Sequence, residues 1–171
     1  MTKLSLRLCI LLMVTLGLNA CGFKLRSAQP LPNGIEQVYL SGAQQYSPLK
    51  RAVKEYFDIY QIPYVDNIPV AQKDSTIAIF LYPDTLERRL LSLFNTGQVA
   101  EYELVLTIRF QVIFPGKEAQ MVEFDVTREY QDDPDAILAK SRELELVLKE
   151  LRKQAADRIV RMLPSLDDRE V

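Results

Sequence analysis

Strict alternation of apolar and polar residues between Glu101 and Phe114 constrains this chain more than any other feature of its sequence. Tyr102, Leu104, Leu106, Ile108, Phe110, Val112 and Phe114 fall on one parity, with Glu101, Glu103, Thr107, Arg109 and Gln111 between them. A side-chain period of two belongs to a β-strand, so the apolar set lines a packed face and the opposite face is largely polar. Pro115-Gly116-Lys117 then turns the chain, and Val122, Phe124 and Val126 alternate with Glu123, Asp125 and Thr127. The two stretches predict a long antiparallel hairpin.

The remaining elements assemble around that hairpin. Asn95-Thr96-Gly97 is a turn signal, and before it Thr76 to Tyr82 and Leu86 to Phe94 are strand-like stretches separated by a break at Pro83-Asp84. Leu91 and Leu93 read as core, while Phe94, beside the turn, suits either the core or a partner. Val38-Tyr39-Leu40 is a short strand ending at Ser41-Gly42. Ser47-Pro48 opens a helix, with serine as cap and proline at the first position. Its apolar residues Leu49, Ala52, Val53, Tyr56, Phe57 and Tyr60 recur at i, i+3, i+4, i+7, i+8 and i+11, one buried face. Pro63 and Pro69 bracket a link after it. A second helix is introduced by Asp133-Pro134-Asp135, carries a stripe of Ile137, Leu144, Leu148, Leu151, Ala155, Ile159 and Met162, and ends before Pro164. The order β-α-β-β-β-α predicts an α+β fold with two helices packed on one face of a four-stranded, mainly antiparallel sheet. The single domain spans residues 35–164, with a short charged tail at 165–171.

The N-terminus carries a different kind of information. Lys3 and Arg7 precede an eleven-residue apolar run from Leu8 to Leu18, and small residues then surround Cys21. A charged start, a short apolar core and a small-residue exit make a secretory signal peptide over residues 1–20, too short to span a bilayer. Leu18-Asn19-Ala20-Cys21 resembles a bacterial lipobox, with Asn19 departing from the usual small residue. The resemblance implies that Cys21 becomes the new N-terminus, bearing an N-acyl chain and an S-diacylglycerol. Residues 21–34, with Pro30, Pro32 and Asn33-Gly34, form a tether.

Cleavage removes Lys3 and Arg7 and no acid, leaving 151 residues with 19 basic against 23 acidic side chains, a net charge of −4. Nucleic acid is not indicated, since that role calls for a basic domain. Cys9 leaves with the signal and Cys21 carries lipid, so the domain needs no disulfide. The sequence holds no histidine, which removes the commonest general base and zinc ligand and every Ser-His or Cys-His pair. No Walker loop, Gly-x-Gly-x-x-Gly or Gly-x-Ser-x-Gly occurs. A carboxylate pair is the one acid/base option left, and a non-enzyme without cofactor or metal is the expectation.

Several segments resemble one family in order along the chain: Cys21-Gly22-Phe23-Lys24-Leu25-Arg26, Phe94-Asn95-Thr96-Gly97-Gln98-Val99-Ala100-Glu101-Tyr102, Asp132-Asp133-Pro134 with Ala136-Ile137-Leu138-Ala139-Lys140, and Arg161-Met162-Leu163-Pro164. The family is that of the outer-membrane lipopolysaccharide-assembly lipoproteins, LptE (RlpB). The resemblance implies a non-catalytic plug inside the LptD β-barrel, assisting its assembly and binding lipopolysaccharide on its way to the cell surface. By resemblance to Gram-negative sorting, Gly22 in place of aspartate after the lipidated cysteine implies the outer membrane, on its periplasmic side.

Lipopolysaccharide carries phosphates, so its binder presents Arg or Lys. Lys140 and Arg128 match basic family positions, and Arg88 and Arg89 supply charge near the turn, where Asn95 replaces the family's usual basic residue. Phe94, Asn95 and Gly97 are the candidate partner contacts. The bland alternative for each cation is a solubilising surface role. Competing functions are a purely structural plug, a scaffold for another barrel, and a lipid hydrolase using paired carboxylates.

Overall fold

The computed structural model describes residues 31–42, 47–67, 70–133 and 136–167, with only the backbone at 70–72. The signal segment, Cys21 and residues 21–30 of the tether lie outside the described residues. The elements are β1 (Gln37–Gly42), α1 (Pro48–Ile59), β2 (Tyr64–Val65), a 3-10 turn (Val70–Ser75), β3 (Thr76–Leu81), β4 (Thr85–Leu93), β5 (Val99–Ile113), β6 (Gln120–Gln131) and α2 (Ile137–Asp167).

The alternating strand of the sequence is β5, and it is paired along both edges. β6 runs antiparallel along one edge from Glu101 to Val112. The other edge is shared end to end by β4, opposite Val99 to Thr107, and β3, opposite Phe110 to Ile113. β1 then pairs parallel with β3, and β2 parallel with β1. The sheet therefore has six strands, not the expected four. β2 is two residues long, too short to leave a periodic signal. The segment before the turn divides into β3 and β4 at Pro83-Asp84, although both follow the same edge of β5. Tyr82 N–H still donates to the Arg109 carbonyl (3.0 Å), whereas Pro83 has no N–H to continue the ladder. Arg152 of α2 fixes the corner through Asp84, 2.8 Å away.

Both helices cover one face, called inner here. Facing rows of β1, β3 and β5, such as Leu40–Ile79–Val112, bury against Leu49, Val53 and Phe57 of α1 and Leu151, Ala155 and Ile159 of α2. Ser47 caps α1 as expected, its Oγ accepting the Lys50 N–H, with Pro48 in the first turn. The helices are joined by Tyr60 Oη donating to Asp157 (2.7 Å) and by Lys153–Glu55 (3.1 Å). Arg158 of α2 stacks 4.3 Å over the Phe124 ring of β6.

α2 departs from expectation at both ends. Its first residue is Ile137, and the carbonyl accepting the Lys140 N–H belongs to Ala136, three residues beyond the expected cap Asp133. Ile137 is 73% exposed and lies outside the buried stripe. At the other end the helix continues through Pro164 to Asp167. Proline costs about 3 kcal/mol in a helix interior, but burial of Leu166 returns about 1.5–3 kcal/mol. Ser165 Oγ also donates to the Met162 carbonyl, and Lys117 pairs with Asp167 at 3.0 Å.

Phe110 is fully buried on β5, whereas Met121 of β6 points away from the helices. Phe110→Ala is expected to lower the unfolding free energy by about 3–5 kcal/mol. Met121→Ala is expected to change it by under about 0.5 kcal/mol. Urea unfolding of the two variants checks the difference.

Candidate functional site

The sheet extends beyond the helices at the end bearing the β4–β5 turn, the distal end. Every residue of β4 except Ser92 is exposed there. The turn itself is built as expected: Phe94 N–H donates to the Gln98 carbonyl (2.8 Å), and Gly97 adopts φ +83°, a conformation strained for residues with a Cβ. Phe94 is 46% exposed. Asn95 and Gly97 form the exposed tip. Leu91 and Leu93 are exposed as well, against their reading as core: Leu93 pairs with Val99 on the outer parity of β5, away from the helices, and Leu91 lies at the register irregularity between Leu90 and Ser92.

Cross-strand register brings two of the candidate cations onto one face. Arg88 of β4 and Arg128 of β6 both pair with Leu104 of β5. Opposite residues in a sheet share a face, so the two arginines flank Leu104 on the inner side, with backbones about 10 Å apart. Both are exposed, and neither makes an ion pair among the described residues. The next row toward the tip is Leu90–Tyr102–Tyr130.

Lys140 reaches this face from the first turn of α2. Tyr130 Oη donates to the Lys140 carbonyl (2.7 Å), and Lys140 Nζ lies 5.1 Å above the Tyr130 ring. The ammonium also pairs with Glu143 at 2.9 Å. That bond to Glu143 raises the Lys140 pKa above its usual value. Burial, helped by Glu143 and Asp132, raises that of Tyr130, while Lys140 and Arg88 pull it down. Tyr130 and Lys140 line an open pocket of about 530 Å³ with Arg88, Tyr102, Ile137 and Leu144. Asp132 and Asp133 stand at its rim.

Arg89, next to Arg88 in sequence, is on the opposite, outer face. It is held by Glu87 at 3.3 Å and Glu103 at 3.7 Å, so the pair Arg88 and Arg89 does not act as one charge cluster. Tyr102 and Tyr130 are site residues that the sequence reading passed over. The period of two offered the signal, since Tyr130 follows Arg128 by two and must share its face.

Tyr130 and Lys140 both have folded pKa values above their unfolded ones, so each contributes stability below about pH 10 that is lost as pH rises further. Tyr60, raised first by its bond to Asp157, acts in the same sense. Thermal melts between about pH 8 and 11 are expected to show an alkaline loss of stability. Tyr130→Phe reduces that slope without abolishing it, because Tyr60 remains.

Comparison with known proteins places this geometry. The LPS-assembly lipoprotein LptE of Pectobacterium atrosepticum is 33% identical over 147 residues, covering 86% of this chain and 78% of the relative. Its namesake in Yersinia pestis (strain Pestoides F) is 30% identical over 168 residues, covering 98% and 78%. The crystal structure of rare lipoprotein B from Shewanella oneidensis superposes with a TM-score of 0.68 at 44% identity, covering 77% of this chain and 96% of that one. The family described as Lipopolysaccharide-assembly, LptE, matches residues 35–163, the whole of the sheet and nearly all of α2, and this chain belongs to it.

Proposed function

We propose that this chain is a non-catalytic lipoprotein that occupies and helps to assemble the LptD β-barrel, and that holds lipopolysaccharide during delivery to the cell surface. The observation that carries the ligand role is the row Arg88–Leu104–Arg128, of which Arg88 lines one pocket with Lys140. Guanidinium forks suit phosphate oxygens, and their fixed spacing across a sheet costs little ordering. Leu90, Ile137 and Leu144 offer apolar surface next to these cations, as an amphiphilic phosphate carrier requires. Asp132, Asp133 and Glu143 offset the charge, so recognition rests on local geometry rather than on a broad positive field.

Anchoring in this reading comes from the N-acyl and S-diacylglycerol lipid on Cys21. Several acyl chains hold a protein stably where one is marginal. No helix among the described residues is long and apolar enough to cross a membrane. Outer-membrane placement is the reading supported by Gly22 and by membership of the family. The exposed tip of Phe94, Asn95 and Gly97 is the end that meets the barrel.

A structural reading has its own support. Lys140 is already engaged by Glu143 and by the Tyr130 ring, so it would serve as a clamp between α2 and β6 in a plug that has no direct ligand role. The double variant Arg128→Glu/Lys140→Glu separates the two. Under the ligand reading, purified protein loses lipopolysaccharide binding by about tenfold or more, the equivalent of one charge-assisted bond. Its partner barrel still assembles. Unchanged binding in the folded double variant removes the ligand assignment, and failed barrel assembly with intact binding supports the clamp.

A further inference from the structure

The two helices run in the same direction where they touch, since Glu55 meets Lys153 and, farther along both, Tyr60 meets Asp157. Residues four apart share a helix face, so Arg51 and Lys149 lie one turn before the Glu55–Lys153 pair. An open groove of about 600 Å³ lies between the helices there, lined by Arg51 and Glu55 of α1 and by Glu145, Lys149, Arg152 and Lys153 of α2. It shares no lining residue with the distal pocket, although α2 supplies a wall to each.

Two ion pairs hold the walls of this groove and leave its middle unneutralised. Lys153 joins Glu55 at 3.1 Å, tying helix to helix, and Arg152 joins Asp84 at 2.8 Å, tying α2 to the corner between β3 and β4. Arg51, Lys149 and Glu145 form no ion pair among the described residues, and all three are exposed. One rung of the groove thus sets acid against base, and the next sets cation against cation. Arg51 is also badly placed for its own helix. The first turn of α1 holds no acid but carries Lys50 and Arg51, at the positive end of the helix dipole. Neither placement helps the fold, and charges that sit against local stability mark binding surfaces.

We infer that the α1–α2 groove binds a phosphorylated saccharide, with Arg51 and Lys149 on the phosphate oxygens and Glu145 accepting from sugar hydroxyls. The guanidinium fork and the ammonium arrive from two rigid helices whose spacing the ion pairs already fix, so binding needs little ordering. Six of the nine lining residues are charged, and only Pro48, Ala52 and Leu146 are apolar. A hydrocarbon chain would desolvate those charges without pairing them, whereas phosphate oxygens and hydroxyls pair with both signs. Ala52 is 7% exposed at the floor, where its small side chain leaves depth for a sugar ring. A soluble sugar phosphate and the phosphorylated sugars of a glycolipid offer the same chemistry. The inference stands apart from the ligand role given to the distal pocket.

The test follows backbone amide shifts of the full protein in non-ionic detergent during titration with glucose 6-phosphate, glucose, inorganic phosphate and lipopolysaccharide. Glucose 6-phosphate is expected to shift residues 51–55 and 145–153 saturably, with inorganic phosphate weaker and glucose weakest. Arg51→Glu is expected to weaken the sugar phosphate by about tenfold or more. Its melting temperature stays level or rises, because glutamate suits the first turn of a helix. Arg88→Glu is expected to leave the groove titration unchanged. Lipopolysaccharide shifting the same amides in Arg88→Glu identifies a glycolipid sugar as the source, and shifts from the soluble ester alone identify a free sugar phosphate. No saturable shift, shifts from glucose equal to those from its phosphate, or equal affinity in Arg51→Glu and the parent overturns the inference. So does a loss in Arg88→Glu as large as that in Arg51→Glu.

Discussion

Pairing of β5 on both of its edges is the constraint from which the rest of this molecule follows. Its backbone donors and acceptors are taken up by β6 on one side and by β4 and β3 on the other, so its register cannot slip without breaking two ladders. A slip of one residue would exchange Leu104, Ile108 and Phe110 with Glu103, Arg109 and Gln111 and put charge beneath the helices. Burial of the even-numbered residues thus fixes the facing of every residue on three neighbouring strands. Both helices then have one apolar surface to cover, and they meet over it.

The same parity distributes the cations on which the proposed function rests. It sends Arg88 and Arg128 inward, Arg88 into the pocket that Lys140 also lines, and sends Arg89 outward into a network with Glu87 and Glu103. Because β4 projects past the helices, the inward side at the distal end is open rather than filled. The inward row thereby runs from buried core into an open, cation-bearing pocket without any change of strand. At the other end of the sheet the outward side of β1, β3, β5 and β6 carries no charge beyond the row of Arg109 and Glu123. One sheet presents three surfaces of different chemistry, each set by position along β5.

Legibility in the sequence followed the strength of local signals. The β5–β6 hairpin, the Ser47-Pro48 start of α1 and the Gly97 turn were readable because periodicity, caps and positive-φ glycines are encoded within a few residues. β2 was not readable, because two residues carry no period. Pro164 reads as a stop, yet Leu163 and Leu166 on either side of it bury into the core, a tertiary contact that local propensity does not report. Leu91 and Leu93 read as core by hydrophobicity, but the register shift after Leu90 sets Leu93 opposite Val99 on the face away from both helices, and such a shift leaves no periodic signal. The candidate cations were legible as residue types. Their grouping depends on cross-strand register, which pairs Arg88 and Arg128 with Leu104, sets Tyr130 one row on and sends Arg89 to the other face, and residue type does not encode it.

Adjacent arginines on opposite faces allow a direct test of the idea that strand parity selects the binding surface. Affinity for lipopolysaccharide should be measured for Arg88→Glu and Arg89→Glu side by side, since both residues are exposed and the substitutions are chemically identical. The account predicts that Arg88→Glu weakens binding by about tenfold and that Arg89→Glu leaves it near the parent value. Equal loss in both variants, or a larger loss at Arg89, would contradict it.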